Sequence, residues 1–419
     1  MTFAMSGAAK KPLGPLAGLR VVDMTTSYAG PTASMYLADL GADVIKVEKP
    51  RAGDDARGWG PPFIDGESAW YASANRNKRS IALDLRAPEG LATLRSLVAT
   101  ADVFMQNLNP AKIERLGIHP EALRATNPRL IYCALSGFGL DGPAHAQPGY
   151  DLAAQARSGL MSVTGARGGS PQRVSTALSD IVTGMCAALA ISAAVVRQRA
   201  GGEGDTIDVS LFDSDLALMA PRIASFLAGE PEPAPSGGTD SVLAVYQSFP
   251  TADRDIIVAI GNDGMWVRFA GALGLTELAA DAQLRTNAGR REHRARIIDA
   301  VRNVLSTRTA EEWLRTLREA NVPASIVQSL SEVVTDEQTI ARGALLPVAG
   351  HDGLFTVHSP FRLASIGHAR NEGVAALGQH TREILDEAGV EPSRIEKLLR
   401  DGVVVDAGLP VGEKAVAGA

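Results

Sequence analysis

Leu19-Arg-Val-Val-Asp-Met24 reads as a strand, a turn and short helix follow from Pro31, and Ala42-Asp-Val-Ile-Lys-Val-Glu48 reads as a second strand. Proline suits the first helical turn and Gly41 suits the stop, so this stretch is a β-α-β unit. The same alternation continues outward. Ser80 to Leu83, Val103 to Leu108, Leu130 to Leu135 and Thr206 to Leu211 are further strand candidates, with helical stretches between them. This pattern predicts an α/β fold with a Rossmann-like, largely parallel sheet covered by helices.

The 419 residues exceed one ordinary core, so two domains are expected. Residues 1–15 read as a loose tail and 16–215 as the first part of a large domain. Residues 216–334 read as a smaller α+β domain with its linkers, and 335–419 as a return to the large one. The clearest linker is Glu230-Pro-Glu-Pro-Ala-Pro-Ser-Gly-Gly-Thr239. Beyond it come a strand at Ile256 to Ile260 and helices from Met265 to Asn321.

A net charge of −6 and a pI near 5.7 argue against nucleic acid as the main partner. Cys133 and Cys186 lie in apolar runs without metal spacing, as expected of reduced core residues in a cytoplasmic protein. The longest apolar run, Met185 to Val196, is too short to span a membrane. The seven histidines lack metal-ligand spacing and there is no GxSxG elbow, so neither a metal site nor serine hydrolysis is expected.

One candidate for chemistry stands out. Asp180 opens the apolar helix behind Ser175-Thr-Ala-Leu-Ser-Asp-Ile-Val-Thr-Gly-Met185, where unpaired N–H groups and the helix dipole favour an ionised carboxylate. Its bland reading is a helix cap. Gly137-Phe-Gly-Leu-Asp-Gly142 matches GxGxxG, but Pro143 and an irregular stretch follow where a dinucleotide site needs a helix, so it reads as a turn. Arg76, Lys78, Arg79 and Arg86 face only Asp84 in their stretch, and Lys49 and Arg51 sit just past the second strand. Such a cluster in an acidic chain fits either a phosphate-bearing small molecule or a salt-bridged surface.

Several short motifs occur in order. They are Leu16-Ala-Gly-Leu-Arg-Val-Val-Asp23, Ala29-Gly-Pro31, Leu40-Gly-Ala-Asp-Val-Ile-Lys-Val-Glu48 and Asn75-Arg-Asn-Lys-Arg-Ser80. Ser136-Gly-Phe-Gly139, Gly142-Pro143, Pro148-Gly-Tyr-Asp151 and Asp180 follow. Each is modest alone, but the ordered series resembles the class III CoA-transferases, the family of formyl-CoA, carnitine and succinyl-CoA-dependent transferases. The likeness runs from about Leu16 to Leu385.

The resemblance implies an interlocked homodimer, an acyl-CoA and a small carboxylic acid as partners, no permanently bound cofactor, and Asp180 as nucleophile. It implies CoA contacts at Tyr28, Ala29, Lys49, Leu83, Arg86, Asn107, Leu108, Arg115 and Tyr150. Asn109-Pro110-Ala111 replaces the family's usual Arg-Pro-Gly. Tyr28 stands where the formyl-CoA branch has Gln, which disfavours that branch. Gly53-Asp-Asp-Ala-Arg-Gly-Trp-Gly-Pro-Pro-Phe63 looks most like the branch using succinyl-CoA with dicarboxylic or hydroxy-dicarboxylic acids, where Arg57 would pair a distal carboxylate and Trp59 would line the substrate site. Gly237-Gly238 would stand for the glycine-rich loop of the formyl-CoA branch. The rivals are a 2-methylacyl-CoA racemase of the same fold, disfavoured because Tyr150 replaces its histidine, and a CoA-binding protein without turnover.

Overall fold

The computed structural model describes residues 14–367 and 371–407. The tail expected over 1–15 therefore lies outside the described residues, except Gly14 and Pro15. The chain divides into two compact units. Of the described residues, 14–159, 174–224, 341–367 and 371–407 make one, and Leu160–Arg173 with Ser225–Ile340 make the other. Residues 160–173 were expected in the first region. They join the second because Gly165 accepts the N–H of Gly237 and Arg167 reaches Thr239.

The first unit is built on a seven-stranded sheet. Strands β1 (Arg20–Asp23), β2 (Asp43–Glu48), β5 (Arg79–Leu83), β6 (Val103–Gln106), β7 (Ile131–Ser136) and β8 (Thr206–Ser210) are parallel, in the spatial order β5-β2-β1-β6-β7-β8. β3 (Phe63–Ile64) and β4 (Glu67–Ser68) form a separate hairpin. The short strand Val404–Val405 pairs antiparallel with β5, so the sheet is mixed. Two residues are too few for an alternation to announce a strand, which is why these elements escape a sequence reading.

Helices α1 (Ala29–Asp39), α2 (Ala69–Asn75), α3 (Pro88–Ala99), α4 (Pro110–Leu116), α5 (Pro120–Thr126), α6 (Asp151–Arg157), α7 (Leu178–Arg199) and α8 (Leu211–Leu227) lie between or after these strands in the chain. Successive strand residues point to opposite faces. Val22, Ile45 and Phe104 therefore join Leu94, Leu97, Ile384 and Leu398 in one core. Val21, Val44 and Val103 join Leu37, Ala187, Ile191 and Val195 in the other. Gly184 lets α7 lie close on α1, because a Cβ there would stand 2.8 Å from the Ala29 carbonyl oxygen. By length and composition alone this 22-residue helix, longer than the apolar run Met185 to Val196 within it, could cross a membrane. Thr183, Gly184, Ala187, Ala188, Ile191 and Val195 are nevertheless buried.

The second unit has its own core. β9 (Tyr246–Pro250), β10 (Asp255–Ala259) and β11 (Ala324–Ile326) form an antiparallel sheet with β10 central. Trp266, Phe269, Ile297, Val301, Trp313 and Leu317 pack in its core.

The order β5-β2-β1-β6 places successive crossovers on opposite sides of β1. A crevice opens where that direction reverses, beyond the carboxyl ends of β1 and β6. Asn107, just after β6, closes one wall by accepting the N–H of Thr26 at 3.1 Å and donating to its carbonyl at 2.9 Å.

Candidate active site

Asp180 is the third residue of α7 and lines a cavity of about 240 Å³ at this crevice. Thr26, Ala29, Asn107, Leu108, His145, Tyr150 and Thr183 also line it. Ala177, the residue before α7, makes no side-chain cap. The cap comes from another helix. Asp151, first residue of α6, accepts the Ser179 N–H at 2.8 Å and the Asp180 N–H at 3.4 Å through one carboxylate oxygen. Its other oxygen accepts from Gln155 Nε2 at 2.7 Å. Asp215 from α8 accepts the Ser179 hydroxyl at 2.8 Å.

This geometry overturns the electrostatic expectation for Asp180. Its pKa is not lowered by the helix N-terminus. Burial, followed by the charges of Asp151 and Asp215, pushes it up to about 7. Two of the amides meant to hold it ionised serve Asp151 instead, and two more carboxylates oppose its charge.

A second hollow, of about 800 Å³, lies at the carboxyl ends of β2 and β5. Lys49, Leu83, Arg86, Leu108, Lys112 and Arg115 are among its walls. Thr26 and Leu108 line both hollows. The altered loop serves α4: Asn109 accepts the Lys112 N–H at 2.9 Å and Pro110 takes the first helical position. Lys112 was not singled out from the sequence, although its spacing of three from Arg115 puts both on one helix face. Burial and the neighbouring charges of Lys49 and Arg115 lower its pKa, opposed by Asp55, which pairs with Lys49 at 2.8 Å.

Other expected contacts sit differently. Arg76, Lys78 and Arg79 are each engaged by carboxylates of the fold, Arg76 and Lys78 buried and Arg79 partly exposed. Arg76 and Asn77 grip Asp39, Lys78 donates to the Pro31 carbonyl at 2.8 Å, and Arg79 pairs with Asp43 at 2.7 Å. Burial pushes Lys78 down to about 7 despite the pull of Asp23. Arg57 is not offered to a substrate carboxylate either. It holds Glu48 at 2.8 and 2.9 Å, the Tyr71 hydroxyl at 2.7 Å and the Ala375 carbonyl at 2.9 Å, with its guanidinium over the Tyr71 ring.

Tyr28 donates to or accepts from Ser73 at 2.8 Å and meets Trp70 edge-on at 5.5 Å; Trp59 meets the same ring at 6.1 Å. With Pro62, Ala69, Thr176 and Ala177, the Tyr28, Trp70 and Ser73 side chains line a third hollow of about 240 Å³. Gly237 and Gly238 lie in the second unit with φ of +66° and +81°. The 137–142 glycines make a turn, and no helix begins until Asp151. Among the described residues, no group of three or more His, Cys, Asp or Glu is placed to hold a metal.

The profile of CoA-transferase family III matches residues 16–381. The succinate–glutarate CoA-transferase of Agrobacterium fabrum is 39% identical over 90% of this chain and 96% of its own length. The succinyl-CoA:glutarate CoA-transferase of Mus musculus is 37% identical over 93% of this chain and 90% of its own. Among solved structures, a CAIB/BAIF family protein from Brucella suis superposes with a TM-score of 0.79 at 35% identity, covering 90% of this chain and all of that one.

Proposed function

The chain belongs to CoA-transferase family III and is an enzyme moving CoA between an acyl-CoA and a carboxylic acid; from that premise we propose succinyl-CoA as donor, a glutarate-like dicarboxylic acid as acceptor, and Asp180 as the covalent carrier. The observation that carries the reading is that two hollows share Thr26 and Leu108 in their walls. One holds the carboxylate of Asp180, and the other carries Lys49, Arg86, Lys112 and Arg115, cations suited to the phosphates of CoA. The names of the relatives support the choice of acids. Because Arg57 is occupied by Glu48, the distal carboxylate of the acid is read by other groups.

An Asp180 oxygen attacks the donor thioester carbon; the C–S bond breaks and its electron pair leaves on the CoA sulfur. The thiolate then attacks the aspartyl carbonyl of the resulting anhydride, expelling the donor acid and leaving an aspartyl-CoA thioester. The acceptor carboxylate attacks that carbonyl and expels the thiolate. Attack of the thiolate on the acceptor's acyl carbon then releases the new acyl-CoA and restores Asp180. Each step conserves the activated bond.

Asp180→Ala is expected to fold and to lose transfer by several orders of magnitude. Hydroxylamine added during turnover is expected to modify Asp180 in the wild type. Near-normal transfer in Asp180→Ala, or an adduct mapped to Asp151, overturns the assignment. We read the enzyme as a homodimer, supported by apolar Leu189 and Val196 on α7, which are 71% and 70% exposed. A monomeric mass at micromolar concentration with activity retained refutes this.

A further inference from the structure

We propose that Asp151 is a positioning residue for transfer: it caps α7 in place of the nucleophile, and its fixed negative charge keeps Asp180 from being stabilised as a free carboxylate. The inference rests on Asp180 being the covalent carrier.

The first amides of a helix lack intrahelical partners and are the natural support for a carboxylate in the first turn. On α7 they are already engaged. One Asp151 oxygen accepts from the Ser179 amide at 2.8 Å and the Asp180 amide at 3.4 Å. The Asp151 carboxylate is held from behind by Gln155, which is fully buried. Gln155 is itself fixed, because its carbonyl oxygen accepts the Val174 N–H at 2.9 Å. Asp215, also fully buried, adds a second carboxylate, with one oxygen on Ser179 and the other without a partner.

The remaining titratable groups facing Asp180 do not offset these charges. Tyr28 stands before α1, and His145 and Tyr150 belong to the loop lining the same cavity. Cys186 lies farther along α7 itself. No Lys or Arg is among the cavity's lining residues. The elevated pKa of Asp180 agrees with that geometry.

The consequence follows from the charge balance of acylation. When an Asp180 oxygen bonds to the acyl carbon, the C–S electron pair departs with the CoA sulfur. The Asp180 side chain becomes neutral, and its repulsion from Asp151 is relieved. Asp180 is neutral again as the aspartyl-CoA thioester. Asp151 therefore raises the free carboxylate relative to both covalent forms, a ground-state effect built into the helix cap.

The test is the pH–rate profile of Asp151→Asn in the full-length enzyme. Asparagine keeps an oxygen for the α7 amides and removes the charge. The acid limb is expected to fall by about one pH unit, with kcat above the limb reduced roughly tenfold. Less covalent adduct is then trapped by hydroxylamine. Asp151→Glu, which keeps the charge, is expected to restore the limb toward its wild-type position. If Asp151→Asn does not fold, Asp151→Ser makes the same test with a smaller acceptor. An unmoved acid limb in the folded uncharged variant, whether or not its rate falls, overturns the proposal and leaves Asp151 as a structural cap. Retained transfer in Asp180→Ala instead defeats the underlying nucleophile assignment, so the two failures are distinguishable.

Discussion

Two groups of cations of similar composition have different fates. Arg76, Lys78 and Arg79 come from one short run and pair with Asp39, Asp23 and Asp43, the first two buried and Arg79 nearer the surface. Lys49, Lys112 and Arg115 come from separate segments, yet the sheet brings them to one hollow. A charge run therefore says little about a ligand, whereas the crossover order says much. The first group ties α1 and β2 to β5 and the segment before it; the second lies on the side of the sheet where open α/β folds bind ligands.

The contrast breaks most visibly at Arg76. Its pair with Asp39 is buried, and Ser359 shares the same carboxylate. Arg76→Ala leaves Asp39 uncompensated and is expected to cost about 3–5 kcal/mol of stability. The folded fraction is expected to keep the wild-type KM for acyl-CoA. A raised KM at unchanged thermal stability would move Arg76 into the binding group.

Lys112→Ala and Arg115→Ala test the other side. Each is expected to weaken acyl-CoA binding by about 1.5 kcal/mol, roughly tenfold in KM, with little change in melting temperature. Both effects are expected to shrink at high salt because these groups are reached by solvent. A KM unchanged in both variants would place the phosphates elsewhere.

Much of this was legible in the sequence. The strand candidates Leu19 to Met24 and Ala42 to Glu48, separated by a short helix, led to the parallel sheet and hence to its crevice. Asp180 was legible as a helix-start carboxylate, but its electrostatics were not. They depend on Asp151, 29 positions earlier, and Asp215, 35 later, meeting at one helix end. No local pattern carries that meeting. The pairing of Arg57 with Glu48 was illegible for the same reason, because it depends on the loop after β2 folding back onto the strand end. Lys112 could have been found from its helical spacing to Arg115.

Asp180 also sharpens the comparison, as a buried charge facing like charges where Asp39 faces Arg76. Its folded pKa is about 7 against an ordinary 3.8. Between those values the unfolded chain has already lost the proton that the fold retains. The cost of ionising Asp180 in the fold therefore builds as pH rises and is complete above 7. Asp180→Asn is expected to be more stable than wild type at pH 8 by on the order of 1–2 kcal/mol after allowance for solvent access. The difference should narrow toward pH 4. Equal stability at both pH values would contradict the elevated pKa.

The smallest effect belongs to Arg86, which lies between the two classes. It is exposed at the wall of the hollow, where Lys112 is half-buried, and both its Nε and Nη2 donate to Asp84 at 2.9 Å. Arg86 holds the Asp84 carboxyl below its usual range, and the pair sits in solvent, where such contacts contribute little to stability. Half-neutralised in this way, Arg86 offers a phosphate less than Lys112 or Arg115 does. Arg86→Ala is therefore expected to raise the KM for acyl-CoA less than either of those changes, without altering the melting temperature. Asp84→Asn releases Arg86 from its partner and is expected to lower the KM. If Arg86→Ala instead matches Arg115→Ala, the Asp84 pair opens when CoA binds and Arg86 belongs fully to the second group. If Asp84→Asn leaves the KM unchanged while Arg86→Ala does too, Arg86 is a surface pair that only borders the hollow.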